Sequence, residues 1–236
     1  MIDSQKIEKE SYLNNISAIC SIEKLPLDDS ITFFVGENGS GKSTLLEAIA
    51  IAYGFNPEGG TKNFNFCTRA THSNLEKAIT LVKGTKKPKD GFFFRAESFY
   101  NVASEIDNLA GGGDSYLKYY GGKSLHCQSH GESLISLVLN KFGGDGLYIL
   151  DEPEAALSPQ RLLSLMIAIS KLIEKNAQFI IATHSPILLG IPKASILSFD
   201  DGKIHKIKYE DAECYKITKM FLDNRKQLLE KLLNTE

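Results

Sequence analysis

The chain has 236 residues, of which 42% are hydrophobic and 24% are charged. These values are close to globular averages and exclude fibrous, collagen-like or largely disordered sequences. With 27 basic and 29 acidic residues the net charge is −2. No strong overall electrostatic field therefore attracts the protein to nucleic acid or an anionic membrane. This net charge still allows a local basic patch. We expect a single domain over residues 1–236.

The first ten residues are polar, and no window approaches the roughly 20 apolar residues that span a bilayer. We therefore expect a cytoplasmic protein without direct membrane insertion. The amino-terminal half is predicted to contain, in chain order, strands at residues 12–22 and 31–35, a helix at 43–52, a loose segment at 54–88 that permits a short helix at 73–82, and a buried strand at 91–99.

Strand and helix alternate in the carboxyl-terminal half. The predicted elements are a helix at residues 132–141, a strand at 147–150, a helix at 160–175, a strand at 178–182, a hairpin around 200–202 and a helical tail over about 211–236. This order predicts a mainly parallel sheet flanked by helices, with ligands bound beyond the carboxyl ends of the strands.

The segment GENGSGKST at residues 36–44 satisfies the pattern G-x-x-x-x-G-K-[ST] between a predicted strand and a predicted helix. Glycines let backbone N–H groups surround phosphate oxygens, Lys42 neutralises the outer phosphates, and the Ser43 hydroxyl is a Mg²⁺ ligand. The alternative is a simple glycine turn before a helix. The predicted ATP-binding residues are Gly36, Glu37, Asn38, Gly39, Ser40, Gly41, Lys42, Ser43 and Thr44.

A second acidic motif, LYILDE at residues 147–152, is an apolar run that ends in two carboxylates. A buried parallel strand would deliver them to the ligand-facing edge of the sheet. Asp151 is then placed to hold Mg²⁺, and Glu152 to polarise an attacking water. The alternative is an ordinary helix-initiating turn at Pro153.

Together with FIIATHSP at residues 179–186, these motifs resemble those of ABC-type ATPases. The signature motif corresponds to QSHGE at 128–132, the D-loop to AALS at 155–158, and the switch histidine to His184. Ser129 precedes Asp151 by 22 residues, and Asp151 precedes His184 by 33. The chain looks closest to the cytosolic SMC/RecF-like branch of predicted AAA ATPases, as a head domain without the long coiled coil.

The resemblance implies a P-loop NTPase fold with an antiparallel amino-terminal β part. It also implies catalytic roles for Lys42, Glu152 and His184, with ATP and Mg²⁺ bound between two heads that dimerise head to tail. Ser129 and the Gly131 backbone would reach the γ-phosphate from the partner copy, and His184 would sense it. A histidine after a strand is otherwise a structural residue.

The sequence departs from the family pattern at two places. The signature carries His130 where the family has glycine, and no glutamine lies between Thr44 and Cys127 to serve as the Q-loop residue. Arg95, Glu97 and Ser98 are the candidates to replace it, with Glu97 favoured through a water-mediated contact to Mg²⁺. Glu97 as an ion-paired surface carboxylate is the alternative.

Two further features have weaker implications. Tyr12 is positioned to stack on adenine, although a strand tyrosine is commonly a core residue. The basic run of Lys83, Lys86, Lys87 and Lys89 could contact nucleic acid phosphates or form a solvated loop.

The motifs favour a stand-alone ATPase whose ATP-dependent dimerisation acts on an effector protein or nucleic acid. The alternatives are the ATP-binding subunit of an ABC membrane transporter and a module that binds ATP without turnover. The absent Q-loop glutamine disfavours the transporter, and Glu152 argues against a module without turnover.

Overall fold

The computed structural model describes residues 1–64, 73–111 and 114–233. The strands are β1 (Ile31–Val35), β2 (Asp90–Arg95), β3 (Gly146–Asp151), β4 (Gln178–Ala182), β5 (Ser195–Ser198) and β6 (His205–Ile207). The α-helices are α1 (Ser17–Cys20), α2 (Lys42–Tyr53), α3 (Phe99–Ala110), α4 (Asp114–Leu117), α5 (His130–Asn140), α6 (Pro159–Ile173) and α7 (Glu213–Leu233). Short 3-10 helices lie at Ser4–Lys6, Tyr12–Asn15, Asn74–Lys77, Lys118–Tyr120, Leu125–Cys127, Pro153–Ala156, Leu188–Gly190, Asp200–Gly202 and Tyr209–Asp211.

The six strands form one sheet in the order β2-β3-β4-β1-β5-β6. The first five are parallel, and β6 pairs antiparallel with β5. The carboxyl ends of the parallel strands therefore share one edge, where ligands bind in open α/β sheets. The predicted P-loop NTPase architecture, a mainly parallel sheet flanked by helices, is confirmed.

Both faces of the sheet are buried, which explains the continuous apolar runs of its central strands. Phe33 contributes to a core with α3, α5 and α6, whereas its neighbour Phe34 contributes to a second core with α1 and α2. Both rings are fully buried. Successive side chains of each strand thus anchor helices on opposite sides of the sheet.

The amino-terminal prediction is wrong, because residues 12–22 form no strand. They form the 3-10 helix Tyr12–Asn15 and then α1, so the antiparallel β part expected here is not formed by this segment. The reason lies in the spacing of Leu13, Ile16, Ile19 and Ile22. Apolar residues three apart lie on one side of a helical turn, whereas a half-buried strand needs alternation.

The strand expected at residues 91–99 ends at Arg95, and helix α3, which the sequence analysis did not predict, begins at Phe99. Most of the remaining elements follow the sequence. The expected short helix at residues 73–82 is a single 3-10 turn, Asn74–Lys77, and residues 65–72 of the loose segment lie outside the described residues. The hairpin forms between β5 and β6, and the tail is helical as α7. None of the helices in the described ranges combines the length and apolarity needed to span a membrane.

Candidate functional site

The phosphate loop joins the buried strand β1 to helix α2, and its glycines are structurally required. Gly36, Gly39 and Gly41 have φ values of 142°, 80° and 97°, a region that side chains disfavour. A Cβ on Gly41 would also lie 2.6 Å from Ile16 Cγ2. The helix α1 segment therefore packs directly behind the loop and fixes its shape.

Lys42 is 4% exposed and lies across the loop that precedes it. Its Nζ donates to the carbonyl oxygens of Gly36 at 2.8 Å and Glu37 at 2.7 Å. Desolvation lowers the Lys42 pKa, while negative charges headed by Glu152 and Asp200 oppose the change. The ammonium is thus buried at the loop, where phosphate oxygens could replace the two carbonyls as acceptors.

The other residues of the loop line the space above it. The Glu37 N–H donates to Asp200 Oδ1 at 3.0 Å, and the buried Ser40 hydroxyl has no hydrogen-bond partner among the described residues. Asn38 lines, with His184 and Asp200, a cavity of about 480 Å³ beside helix α7. Gly39 lines an adjoining cavity, and Thr44 is half-buried on α2.

Asp151 ends β3 and meets the start of α2 across β4. Its Oδ1 accepts a hydrogen bond of 2.9 Å from Ser43 Oγ. Burial raises the Asp151 pKa to about 6, against the lowering effects of the Ser43 hydrogen bond and of Arg95. A folded-state pKa above the ordinary value of 3.8 means that the charged carboxylate lacks a full counter-charge.

The pair formed by Ser43 and Asp151 fits Mg²⁺. This ion takes hard oxygen ligands in octahedral geometry at about 2.0–2.1 Å, which places neighbouring ligands about 2.9 Å apart. The two oxygens are 2.9 Å apart. They would hold Mg²⁺, whose charge would offset the burial of the Asp151 carboxylate.

Glu152 and His184 lie together at the ends of β3 and β4. Glu152 adopts a left-handed conformation with φ 48° and ψ 53°, which is unusual for a residue other than glycine and concentrates at functional sites. Its Oε1 is 3.9 Å from His184 Nε2. That nitrogen is buried and has no hydrogen-bond partner among the described residues. The backbone N–H of His184 donates to Glu154 Oε1 at 2.5 Å, which fixes the position of the histidine.

Arg95 ends β2 in register with Asp151. Its guanidinium forms a close ion pair with the buried carboxylate of Glu47, and its Nε lies 3.9 Å from Asp151 Oδ2. Glu97, the favoured Q-loop replacement, has an 87% exposed side chain and pairs with Arg95 at 3.6 Å. Arg95, rather than Glu97, therefore faces the proposed metal ligand.

The signature residues lie at the beginning of α5. Ser129 caps this helix in a reciprocal capping box with Glu132. Arg161 of α6 donates to Ser129 Oγ at 3.1 Å and to Glu132 Oε1 at 2.8 Å. A Cβ on Gly131 would lie 2.6 Å from the Ala156 carbonyl oxygen, so the signature and D-loop segments are in direct contact.

Ser129 and Gly131 are not brought to the phosphate loop of the same chain. They line a separate concavity with Ala96, Ala155, Ala156, Ser158 and Arg161. The two cavities beside the phosphate loop share no lining residue with it. The sequence-predicted residues thus form two groups, one at the loop and strand ends and one at the start of α5.

Sequence reasoning missed Asp200, Arg95 as the partner of Asp151, and Glu47. The only local signal was for Glu47, which follows Ser43 by four residues and therefore lies on the same face of α2. The sequence places Asp200 in a turn. In the structure its carboxylate accepts a hydrogen bond from the N–H of Glu37 in the phosphate loop, 163 residues earlier in the chain.

Two segments of the chain match models of known protein families. Residues 12–118 match a family model described as "AAA domain". Residues 133–190 match one described as "AAA domain, putative AbiEii toxin, Type IV TA system". The first span contains the phosphate loop, and the second contains Asp151, Glu152 and His184. No curated protein matches the chain.

The SMC head domain from Thermotoga maritima is among 56 matching chains of solved structures. The two chains are 16% identical, and the matched region covers 78% of this chain and 92% of the SMC head chain, with a TM-score of 0.39. A similarity of this size supports no argument about function.

The fold and the phosphate loop are those of a P-loop ATPase, and two segments of the chain are similar to AAA-domain family models. The prediction of a P-loop ATPase is confirmed at this level, whereas the SMC/RecF-like branch stays a prediction from the motifs. Such domains use a nucleotide, typically with Mg²⁺.

Proposed function

We propose that the protein binds Mg²⁺–ATP and hydrolyses it to ADP and phosphate, at a site completed by a second copy of the chain. The observation that carries this proposal is the 2.9 Å contact between Ser43 Oγ and Asp151 Oδ1 beside the buried Lys42. Phosphoryl transfer needs positioning and charge neutralisation more than covalent participation by the protein. The loop and the strand ends supply both.

Each residue has a defined task in this proposal. Lys42 and the loop N–H groups bind the β- and γ-phosphates, and Ser43 and Asp151 hold the metal. A bound Mg²⁺ supplies charge neutralisation at the phosphate oxygens. Glu152 accepts a proton from the attacking water as the bond between the γ-phosphorus and the bridging oxygen breaks. His184 Nε2, buried without a partner in the described chain, donates to the γ-phosphate.

The separation of the two groups of residues supports the proposed dimerisation. Ser129 and Gly131 face a concavity away from their own phosphate loop, and the capping box with Arg161 holds them rigidly. Helix N-termini favour anions. The capping box uses the N–H groups of Ser129 and Glu132, so the proposal assigns the phosphate contact to the N–H of Gly131. A partner copy in head-to-tail orientation would supply the γ-phosphate to this surface.

We further propose that residues 1–236 act as one ABC-type ATPase domain. The two hydrophobic cores on either side of a single sheet support this organisation. The ATP-dependent dimer would act on an effector protein or nucleic acid.

The variant Glu152→Gln tests the proposal. It retains the shape and polarity of the side chain but cannot accept a proton, so we expect turnover to fall by roughly 10²–10⁴-fold while ATP still binds. Sedimentation velocity with ATP should then show a stable dimer. Glu174→Gln, at the exposed residue that caps the carboxyl end of α6, is the matched control and should behave as wild type. Normal turnover of Glu152→Gln would refute the role of Glu152, and a monomer at saturating ATP would refute the shared site.

A further inference from the structure

Positive charge is concentrated in one segment of this slightly acidic chain. Residues 59–89 contain seven basic residues against one acidic residue, a net charge of +6, whereas the whole chain carries −2. The basic residues are Lys62, Arg69, Lys77, Lys83, Lys86, Lys87 and Lys89, and the acidic residue is Glu76. The rest of the chain therefore carries a net charge of −8. The segment and the rest of the chain are opposite in charge.

Two of these lysines converge on one aromatic ring. Lys62 Nζ lies 3.8 Å from the centroid of the Tyr53 ring and 5.5 Å from that of Phe55. Lys83 Nζ lies 4.5 Å from the Tyr53 centroid. Desolvation and then the charge of Lys83 lower the pKa of Lys62. The fold thus holds two ammonium groups together despite their repulsion.

Besides Lys77, which donates to Asn74 Oδ1 at 2.8 Å, four lysines of the segment have no carboxylate within salt-bridge distance in the described parts of the chain. They are Lys62, Lys83, Lys86 and Lys87. By contrast, Lys89 is paired with Asp145 at 2.7 Å. Residues 65–72 contain no aspartate or glutamate, so they offer no internal counter-charge to these four either.

Lys62 and Lys83, which contact the Tyr53 ring, lie far from the phosphate loop. Tyr53 is the last residue of α2 and Lys42 is the first. Eleven steps of about 1.5 Å along the helix axis separate these two ends by about 17 Å. The negative end of the α2 dipole favours a cation here, but this local effect is too small to account for four unpaired lysines. Residues 82–89, which carry three of the four, are exposed.

We propose that Tyr53, Lys62, Lys83, Lys86 and Lys87, here called the basic surface, bind the sugar–phosphate backbone of nucleic acid. Ammonium groups act as point charges for phosphates and read no base sequence. The surface consists of a helix end and loops rather than the amphipathic helix typical of membrane-surface binding, which favours nucleic acid over an anionic bilayer. The inference does not depend on the proposed ATPase activity.

The salt dependence of binding gives a quantitative test. Four neutralised phosphates correspond to a slope of about −3.6 in log affinity against log salt for duplex DNA. The affinity of the wild type for a labelled duplex of about 30 base pairs should then fall about 150-fold between about 50 and 200 mM NaCl. The triple variant Lys83→Gln/Lys86→Gln/Lys87→Gln retains only Lys62 of the four lysines. Over the same salt range its affinity for the duplex should therefore fall only about 3-fold. Fluorescence anisotropy measures the affinities of the wild type and of the triple variant.

A matched control separates local charge from net charge. Lys171→Gln/Lys219→Gln/Lys226→Gln removes the same total charge from exposed positions on α6 and α7, and we expect it to bind the duplex as wild type does. Equal weakening by both triple variants, or a wild type without measurable duplex binding at about 50 mM NaCl, would overturn the proposal.

Two further measurements test whether the basic surface is independent of the phosphate loop and whether its ligand is nucleic acid. Lys42→Ala should keep the affinity of the wild type for the duplex, because the phosphate loop lies at the other end of α2. Loss of duplex binding in Lys42→Ala would overturn the separation of the two sites. The wild type could instead bind phosphatidylserine vesicles but not the duplex, with the vesicle binding lost in the triple variant. That result would overturn nucleic acid as the ligand.

Discussion

Replacing Asp151 with asparagine should stabilise the nucleotide-free protein while abolishing its proposed metal site. Burial raises the Asp151 pKa from the ordinary value of 3.8 to about 6. The folded protein therefore binds the proton more tightly than the unfolded chain does. Ionised Asp151 therefore lowers the free energy of unfolding. This loss of stability is largest above pH 6, shrinks as the pH falls from about 6 to 3.8, and vanishes below that range.

The magnitude follows from the pKa. At about 1.4 kcal/mol per pKa unit, raising it from 3.8 to about 6 destabilises the ionised folded state by about 3 kcal/mol at pH 7.5. Asparagine keeps an oxygen to accept from Ser43 but buries an amide NH₂ beside the Arg95 guanidinium, which cannot accept a hydrogen bond. We therefore expect a net gain of about 2 kcal/mol. For a chain of this length that is a rise in Tm of about 4–8 °C.

Thermal unfolding in EDTA measures this gain. At pH 5 the penalty in wild type is about half of its value at pH 7.5, so the difference in Tm between the variant and wild type should shrink accordingly. Asp145→Asn is the control, because hydrogen bonding and charge from Lys89 lower the Asp145 pKa, so its replacement should give no rise in Tm at pH 7.5. A fall in Tm for Asp151→Asn, or a gain that is independent of pH, would refute the reasoning.

Two other substitutions give distinct outcomes. Arg95→Gln leaves the buried Glu47 carboxylate without its cation, so we expect a loss of roughly 3 kcal/mol in unfolding free energy. The double variant Glu47→Gln/Arg95→Gln should recover most of that loss in denaturant titrations, and equal stability of the two variants would contradict the pairing. Ser129→Arg places a bulky cation in the proposed dimer contact. It should bind ATP with wild-type affinity in calorimetry but neither hydrolyse it nor dimerise, and an active Ser129→Arg would remove the shared-site model.

The sequence was most informative where one contiguous stretch determines the structure. The phosphate loop was predictable because its glycines, Lys42 and Ser43 act within nine residues. Asp151 was predictable because an apolar strand run ends at it, and parallel strands deliver their ends to one edge. Its 2.9 Å contact with Ser43 spans 108 residues, yet two local patterns were enough to anticipate it.

Contacts that depend on the packing of distant segments were not predictable. Asp200 and Arg95 belong to a turn and a strand end whose local patterns carry no information about Glu37 or Asp151. Only the strand order places them at the site. At residues 12–22 the apolar content suggested a strand, whereas the three-residue spacing that the structure uses to pack Ile16 and Ile19 behind Gly41 was the more informative signal.

The central claim is that the phosphate loop and the strand-end acids hold one Mg²⁺–ATP. Isothermal titration of ATP into the protein, with and without Mg²⁺, tests it most directly when wild type is compared with Lys42→Ala. We expect one ATP per wild-type chain, bound more tightly with Mg²⁺, and at least a 100-fold weaker affinity for Lys42→Ala, with Lys24→Ala as an exposed-lysine control. An affinity of Lys42→Ala equal to that of wild type, or ATP binding by wild type that Mg²⁺ leaves unchanged, would contradict the account.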